Sequence, residues 1–106
     1  MRKAVRLLFP LLAFAMTSAT WCLAEGGADT FKAKCAMCHG ADGKGDTAMG
    51  KHFGLRDLGS ADVQKQSDAE LTTIISKGRK SMPEYGTKLS AEQIDGLVKF
   101  IRTLKK

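Results

Sequence analysis

Five consecutive residues, from Cys35 to His39 (Cys-Ala-Met-Cys-His), constrain this chain more than any other feature of its sequence. Two thiols lie about one helical turn apart, and an imidazole follows directly after the second thiol. A disulfide between cysteines so close in sequence would close a tiny loop and stabilise the fold little. We therefore expect the chain to fold around whatever this cluster binds.

The spacing of the cluster is that of a covalent haem attachment site. Thiols one turn apart can add across the two vinyl groups of one haem edge, and the adjacent His39 is then carried beneath the ring to reach the iron. A zinc site needs two further ligands, for which only His52 remains, and a redox dithiol needs a βαβ context that the sequence lacks. We expect one haem c per chain, bound through Cys35, Cys38 and His39.

The sixth coordination position of the iron has four candidate ligands in the chain, which are Met37, Met49, His52 and Met82. Met37 lies between the attached cysteines and cannot swing to the opposite face of the ring. Met82 lies more than 40 residues after His39, and Pro83 beside it limits the freedom of its loop. We favour Met82 as the second axial ligand, with Met49, His52 and an open site as alternatives.

The N-terminus has the order of a secretory signal peptide. Three basic residues come first (Arg2, Lys3 and Arg6), an almost wholly apolar run covers residues 7–19, and Ala24 precedes polar sequence. The apolar run is shorter than the roughly 20 residues that span a bilayer, and Pro10 interrupts it. We expect cleavage after Ala24 and no stable membrane insertion. A retained anchor and lipidation at Cys22 are the alternatives.

Cleavage would leave residues 25–106 as a single domain of 82 residues in the periplasm. It would remove three of the 17 basic residues and no acidic one, so the formal net charge falls from +6 to +3. No dense basic stripe with interleaved aromatic residues is present, which argues against nucleic acid as a partner. A domain of this size has a marginal hydrophobic core, and a bound cofactor would stabilise it.

Helical periodicity predicts an all-α fold. Three helices are expected over residues 28–35, 68–77 and 91–104, and residues 60–66 suit a further short helix. The second and third each begin with a capping box, formed by Ser67 with Glu70 and by Ser90 with Gln93. Residues 40–54 contain five glycines and are expected to be mostly loop, and residues 79–89 form a second loop. Two long loops in so small a domain usually enclose something.

The chain resembles the class I cytochrome c family, of the small bacterial single-haem type, over essentially all of residues 25–106. The resemblance is carried by Cys35 to Gly40, by Met82-Pro83 and by the final amphipathic helix. It implies the class I fold, with three to five helices wrapped around one covalently bound haem. It also implies that the first and last helices cross, where Gly27 and Phe31 meet Leu97 and Phe100.

One departure from the family concerns the histidine ligand. The family often has a Pro-x-Leu segment after the haem motif, and the proline carbonyl accepts a hydrogen bond from the proximal histidine. Here Arg56-Asp57-Leu58 is the nearest match, so arginine stands in place of proline. A backbone carbonyl does not require proline, so that of Arg56 can serve. This bond sets the orientation and basicity of the imidazole.

With both axial positions filled, the site favours one-electron transfer over catalysis. Iron bound by His39 and Met82 has no vacant position. His/Met ligation also raises its reduction potential relative to bis-histidine ligation. We expect a monomeric, non-enzymatic electron carrier whose ring is buried by Leu71, Ile74, Ile75, Leu97 and Phe100. The alternatives are a haem enzyme or ligand sensor with a labile sixth ligand, and a dedicated donor subunit of a redox complex.

The partners of such a carrier are donor and acceptor redox proteins. In the family, electrons leave by the exposed haem edge near the attached cysteines. Seven cationic residues fall in segments expected around the haem crevice: Lys32, Lys34, Lys44, Lys51, Lys77, Arg79 and Lys80. They would steer the protein to an acidic partner. Because acidic residues are interspersed among them, a solvated face without partner preference is the alternative.

Export can be tested directly. The protein recovered from an exporting bacterium should begin at Glu25, because the signal peptidase cuts after the small residue Ala24. N-terminal sequencing and the intact mass decide this point. Recovery of a chain that still begins at Met1 would contradict it.

Overall fold

The computed structural model describes residues 26–106, so the expected signal peptide at 1–24 and Cys22 lie outside the described residues. Over residues 26–106 the chain is all-α without a β-strand, as predicted. Six helical segments follow one another: α1 (Gly27–Lys34), α2 (Ala36–His39), α3 (Ala48–Phe53), α4 (Ala61–Gln64), α5 (Asp68–Lys77) and α6 (Ala91–Thr103). The count exceeds the predicted three to five because short helical turns are included. No helix within 26–106 is long and apolar enough to cross a membrane.

The caps of α5 and α6 explain why these helices begin where the sequence predicts. The Ser67 hydroxyl accepts from the Glu70 amide at 3.1 Å. The Ser90 hydroxyl accepts from the Gln93 amide at 3.1 Å, and the Gln93 side chain accepts from the Ser90 amide at 2.9 Å. The complete capping box therefore forms at α6, whereas α5 has only its first half.

Residues 40–54 are mostly loop, as predicted, but the prediction missed α3, which Ala48–Phe53 form. Thr47 caps this helix by accepting from the Gly50 amide, and Gly54 ends it in the left-handed region at φ 65°. Position 50 lies inside the helix and is nevertheless a glycine, because a Cβ there would meet the carbonyl oxygens of Gly45 and Cys38. Close backbone packing thus explains a glycine that composition alone assigns to a loop.

The crossing of α1 and α6 forms the centre of the core. Gly27 has no side chain, and its backbone packs against that of Gly96. The rings of Phe31 and Phe100 lie 4.8 Å apart, and Leu97 is 1% exposed. The predicted meeting of the first and last helices is therefore present, with Gly96 as a further member of the contact.

The loop after α5 returns along that helix. The Tyr85 amide donates to the Ile75 carbonyl at 3.0 Å, and the Gly86 amide donates to the Ser76 carbonyl at 2.9 Å. Before this point, Arg79 and Met82 exchange backbone hydrogen bonds across a tight turn, in which Lys80 adopts a positive φ of 53°. Met82 is thus held by the tight turn on one side and by the contacts of Tyr85 and Gly86 with α5 on the other.

Arg102 connects α6 to the segment between α4 and α5. Its guanidinium donates to the Gln64 carbonyl at 2.9 Å, to the Gln66 carbonyl at 2.6 Å and to the Asp68 carboxylate at 2.9 Å. Planar geometry suits arginine to this multiple contact, because its five N–H groups form a rigid fork. The start of α5 is thereby fixed relative to the helix crossing.

The helix crossing provides a matched pair of substitutions. Gly27→Ala should lower the free energy of unfolding by about 2–3 kcal/mol, because its Cβ would overlap the Gly96 carbonyl. Gly96→Ala should change it by only about 1 kcal/mol or less, and in the stabilising direction, since its Cβ would meet Gly27 at 3.5 Å. Denaturant unfolding of the two variants measures the difference. Equal effects would show that the crossing is not close-packed at Gly27.

Candidate haem site

The two cysteines lie at the start of the single turn α2 and within it. Cys35 is the residue between α1 and α2, and Cys38 lies inside the turn. Both are free thiols and partly buried. Because α1 crosses α6 in the core, it fixes the position from which this turn begins. The cysteines and His39 are therefore carried on a segment whose first residue is tied to the rigid centre of the domain.

Burial sets the electrostatics of the Cys35 thiol. Burial raises the pKa of the Cys35 thiol to about 11, and the neighbouring Cys38 adds to the rise. A thiol in this state remains protonated near neutral pH as long as nothing is bound to it. Among residues 26–106, no three His, Cys, Asp or Glu side chains converge in a metal-binding group. Two cysteines without further converging ligands in this part of the chain suit covalent attachment better than a structural zinc site, which needs four ligands.

His39 is held in the neutral form that binds iron. Burial lowers the pKa of its imidazole, and a neutral imidazole is the metal-ligating state. The ring packs near Phe31, with centroids 6.2 Å apart. Its Nδ1 is buried and has no hydrogen-bond partner within the described part of the chain. The bond expected from His39 to the Arg56 carbonyl is therefore not formed.

Two adjoining cavities of about 320 and 240 Å³ open beside the α2 turn. Cys35, His39 and Met82 line both of them, and Cys38 lines the smaller one. The larger cavity has an apolar wall that contains four predicted residues, Leu71, Ile74, Ile75 and Leu97. A flat apolar ring attached at Cys35 and Cys38 would have room beside its own attachment points.

Phe100 does not line either cavity, contrary to prediction; it packs against Phe31 instead. Its neighbour Ile101 lines the larger cavity and is 6% exposed. Consecutive residues point to different sides of a helix, so Phe100 contacts α1 and Ile101 faces the cavity. The sequence prediction also missed four apolar lining residues: Phe53, Leu55, Leu58 and Val63.

The four candidates for the sixth ligand are placed very differently. Met82 is partly buried and lines both cavities together with His39. Met37 is 81% exposed, and Met49 is 42% exposed and lines neither cavity. His52 is exposed on α3 and stacks edge-on against Phe53, at 4.9 Å between ring centroids. Of the four, Met82 is the one whose side chain borders the space beside His39 in both cavities.

The charged groups around the cavities are all cationic. Arg56, Arg79 and Lys80 line the larger cavity and Lys34 the smaller one, whereas no Asp or Glu side chain is among the lining residues of either. A haem carries two propionates, so this lining suits the group that the thiols predict. Four of the seven predicted crevice cations, Lys32, Lys44, Lys51 and Lys77, are exposed but do not line the cavities.

Tyr85 is a site residue that the sequence prediction missed. Its hydroxyl donates to the carbonyl of Lys34 at 3.2 Å, its ring lines the smaller cavity, and the Lys88 ammonium lies 5.5 Å from the ring centroid. Lys34 directly precedes Cys35, so this bond joins the Met82 loop to the attachment turn. The sequence signal that could have indicated this role is the presence of an aromatic residue three positions after Met82.

Comparison with known proteins agrees with this geometry. A family model described as cytochrome C oxidase, cbb3-type, subunit III matches residues 23–101. A cytochrome c6 of Microcystis aeruginosa is 35% identical over 75 residues, which cover 71% of this chain and 89% of that protein. A solved structure titled KustC0563 c-type cytochrome superposes with a TM-score of 0.71 at 32% identity, covering 76% of this chain and 99% of that one.

Two further relatives are subunits of larger redox enzymes. The cbb3-type cytochrome c oxidase subunit FixP of Azorhizobium caulinodans is 35% identical over 82 residues, 76% of this chain. The cytochrome c subunit of a quinone alcohol dehydrogenase from Gluconacetobacter polyoxogenes is 34% identical over 88 residues. The chain spans only 27% and 18% of these two proteins. The similarity to them is therefore confined to a part of each.

Covalent attachment at the α2 turn can be tested by removing both thiols. The double variant Cys35→Ala, Cys38→Ala should retain no haem after denaturing electrophoresis, because no sulfur remains to bond the vinyl groups. Haem staining of the gel gives the answer. Met37→Ala, a change at an exposed residue of the same turn, is the control and should stain as the parent does. Persistent staining of the double variant would disprove attachment at these cysteines.

Proposed function

The chain belongs to the class I cytochrome c family, and from this premise we propose that it is a soluble, monomeric one-electron carrier of the periplasm with His39 and Met82 as axial ligands. As a member of that family it carries covalently attached haem c and serves electron transport. The proposal includes cleavage of residues 1–24 and a mature domain of residues 25–106. The observation that carries it is that His39 and Met82 border the same two cavities.

Each part of the site has a role in this function. When bound, the haem supplies an iron that exchanges one electron between its ferrous and ferric states. Cys35 and Cys38 hold the group covalently, and His39 presents a neutral nitrogen. Met82 occupies the remaining position, so oxygen or peroxide finds no vacancy. Because both ligands are attached to anchored segments, little movement accompanies a change of oxidation state.

The apolar wall of the larger cavity favours the reduced state. Leu71, Ile75 and Leu97 are at most 5% exposed and exclude water from this side of the site. The ferric state carries one more positive charge than the ferrous state, and burial in apolar surroundings disfavours the extra charge. Together with the thioether ligand, this supports a reduction potential above that of a bis-histidine site.

We propose an acidic redox partner for the face around the cavities. Lys34, Arg79 and Lys80 are exposed beside the attachment turn and the Met82 loop. A local group of cations raises the rate of encounter with an acidic surface, and salt weakens this effect. Nucleic acid is not part of the proposal, since the mature chain has a formal charge of only +3 before the propionates are counted.

A second candidate function is that of a dedicated electron-donor subunit in a redox complex. It is favoured by the similarity to FixP and to the alcohol dehydrogenase subunit. The chemistry at the iron is the same in both functions, and they differ in whether the protein stays bound to one partner. The coverage of 89% of the cytochrome c6 relative supports the free carrier as the first candidate.

The axial role of Met82 is tested by its removal. Met82→Ala should let cyanide bind the ferric protein, because an external ligand no longer competes with the thioether. The expected gain in affinity is about tenfold or more, which corresponds to the removal of about 1.4 kcal/mol or more of competing ligation. Optical titration with cyanide measures it.

Met49→Ala serves as the matched control for this experiment, since Met49 lines neither cavity. It should keep the absorption bands and the cyanide resistance of the parent. If Met82→Ala behaves as the parent and Met49→Ala gains affinity, the ligand is Met49. If neither variant gains affinity, methionine does not close the site.

A further inference from the structure

The haem-binding turn ends in two carbonyl groups that α2 itself cannot satisfy. A helix leaves its last carbonyls without intrahelical partners, and α2 is a single turn that ends at His39, followed by Gly40 at φ 80°. Two groups from the following loop complete them. The Thr47 hydroxyl donates to the Cys38 carbonyl at 2.6 Å, and the Gly45 amide donates to the His39 carbonyl at 2.7 Å.

The imidazole of His39 lacks a tether of its own. Its Nδ1 has no hydrogen-bond partner among residues 26–106, and the nearby aromatic ring of Phe31 has its centroid 6.2 Å away. Ligating histidines are ordinarily oriented by a hydrogen bond from the second ring nitrogen. In this chain the direction of the ring therefore depends on the backbone that carries it, which is the turn closed by Thr47 and Gly45.

The Thr47 hydroxyl makes two hydrogen bonds at once. It donates to Cys38 and accepts from the Gly50 amide at 2.8 Å, which caps α3. Gly50 leaves no space between α3 and the turn, because a Cβ at this position would lie 2.7 Å from the Cys38 carbonyl oxygen. A side chain at position 47 must therefore both donate and accept from one short arm, as serine and threonine hydroxyls do.

We propose that Thr47 is a positioning residue that fixes the proximal ligand His39 through the Cys38 carbonyl. The proposal rests on the proposed function, in which His39 binds the iron. Loss of the hydroxyl bond would let the turn relax and misalign the imidazole nitrogen. Ferric iron, with its higher charge, depends more on donation from this nitrogen than ferrous iron does. Weaker donation therefore destabilises the ferric state and raises the reduction potential.

Three variants of the mature haem-loaded protein, with a fourth as a replacement, separate positioning from simple stabilisation. Thr47→Val keeps the shape and removes both hydroxyl bonds, whereas Thr47→Ser keeps both. Ser90→Ala removes the cap of α6, a bond of the same kind that does not touch the haem turn. Thr47→Ala removes both hydroxyl bonds without demanding space for a branched side chain, and it replaces Thr47→Val if that variant does not load haem.

The readout is a redox titration in parallel with proton NMR of the ferric protein. At a fixed applied potential, the ferric-to-ferrous ratio of Thr47→Val should fall by about threefold or more; a tenfold fall would correspond to 59 mV for a one-electron couple. The haem methyl resonances, which report the plane of the imidazole, should shift with it. Thr47→Ser and Ser90→Ala should match the parent in both measurements.

The opposite results overturn the proposal. If the ferric-to-ferrous ratio is unchanged in Thr47→Val or Thr47→Ala, or changes equally in Ser90→Ala, Thr47 only caps α3 and does not position His39. In the parent protein, the Thr47 hydroxyl proton should exchange slowly with solvent, and fast exchange would contradict the bond. Failure of the proposed function differs from failure of the Thr47 proposal because it shows in the parent protein itself. The parent would then lack covalent haem or would bind cyanide readily.

Discussion

The proposed site depends on one constraint, which is that both proposed attachment points and one proposed axial ligand lie next to one another at a single helical turn. Cys35, Cys38 and His39 span five residues, so the position of the turn decides the position of the haem. The turn continues from α1, which crosses α6 at Gly27, where a Cβ would overlap the Gly96 carbonyl. The helix crossing would therefore set the position of the cofactor, and the remaining elements would enclose it.

The enclosing elements are short and are held by bonds to one another. The Met82 loop is tied to α5 by Tyr85 and Gly86 and to the end of α1 by the Tyr85 hydroxyl. Arg102 ties the start of α5 to α6. These bonds bring an apolar wall and a thioether to the cavities beside His39. A one-electron carrier benefits from this arrangement, because fixed ligands need little rearrangement when the charge of the iron changes.

Much of this could be predicted from local sequence signals. Ser67 and Ser90 mark the starts of α5 and α6, as the structure confirms. The spacing from Cys35 to His39 predicts the attachment turn. The sequence predictions failed where tertiary contacts determine the local structure or the direction of a side chain. Gly50 suggests a loop in the sequence, but in the structure it lies in a helix packed closely against the backbone of Cys38. Whether Phe100 or Ile101 lines the cavity depends on where α1 crosses α6. The Thr47 bond joins residues nine positions apart through a loop that no periodicity describes.

The central claim is that the iron is closed by His39 on one face and Met82 on the other. Proton NMR of the ferrous haem-loaded protein tests it most directly, because the ring current of the haem displaces a methionine methyl held over the iron far upfield. We predict one three-proton resonance of this kind, which selective methionine labelling and substitution assign to Met82. The absence of such a resonance, or its assignment to Met37 or Met49, would contradict the account.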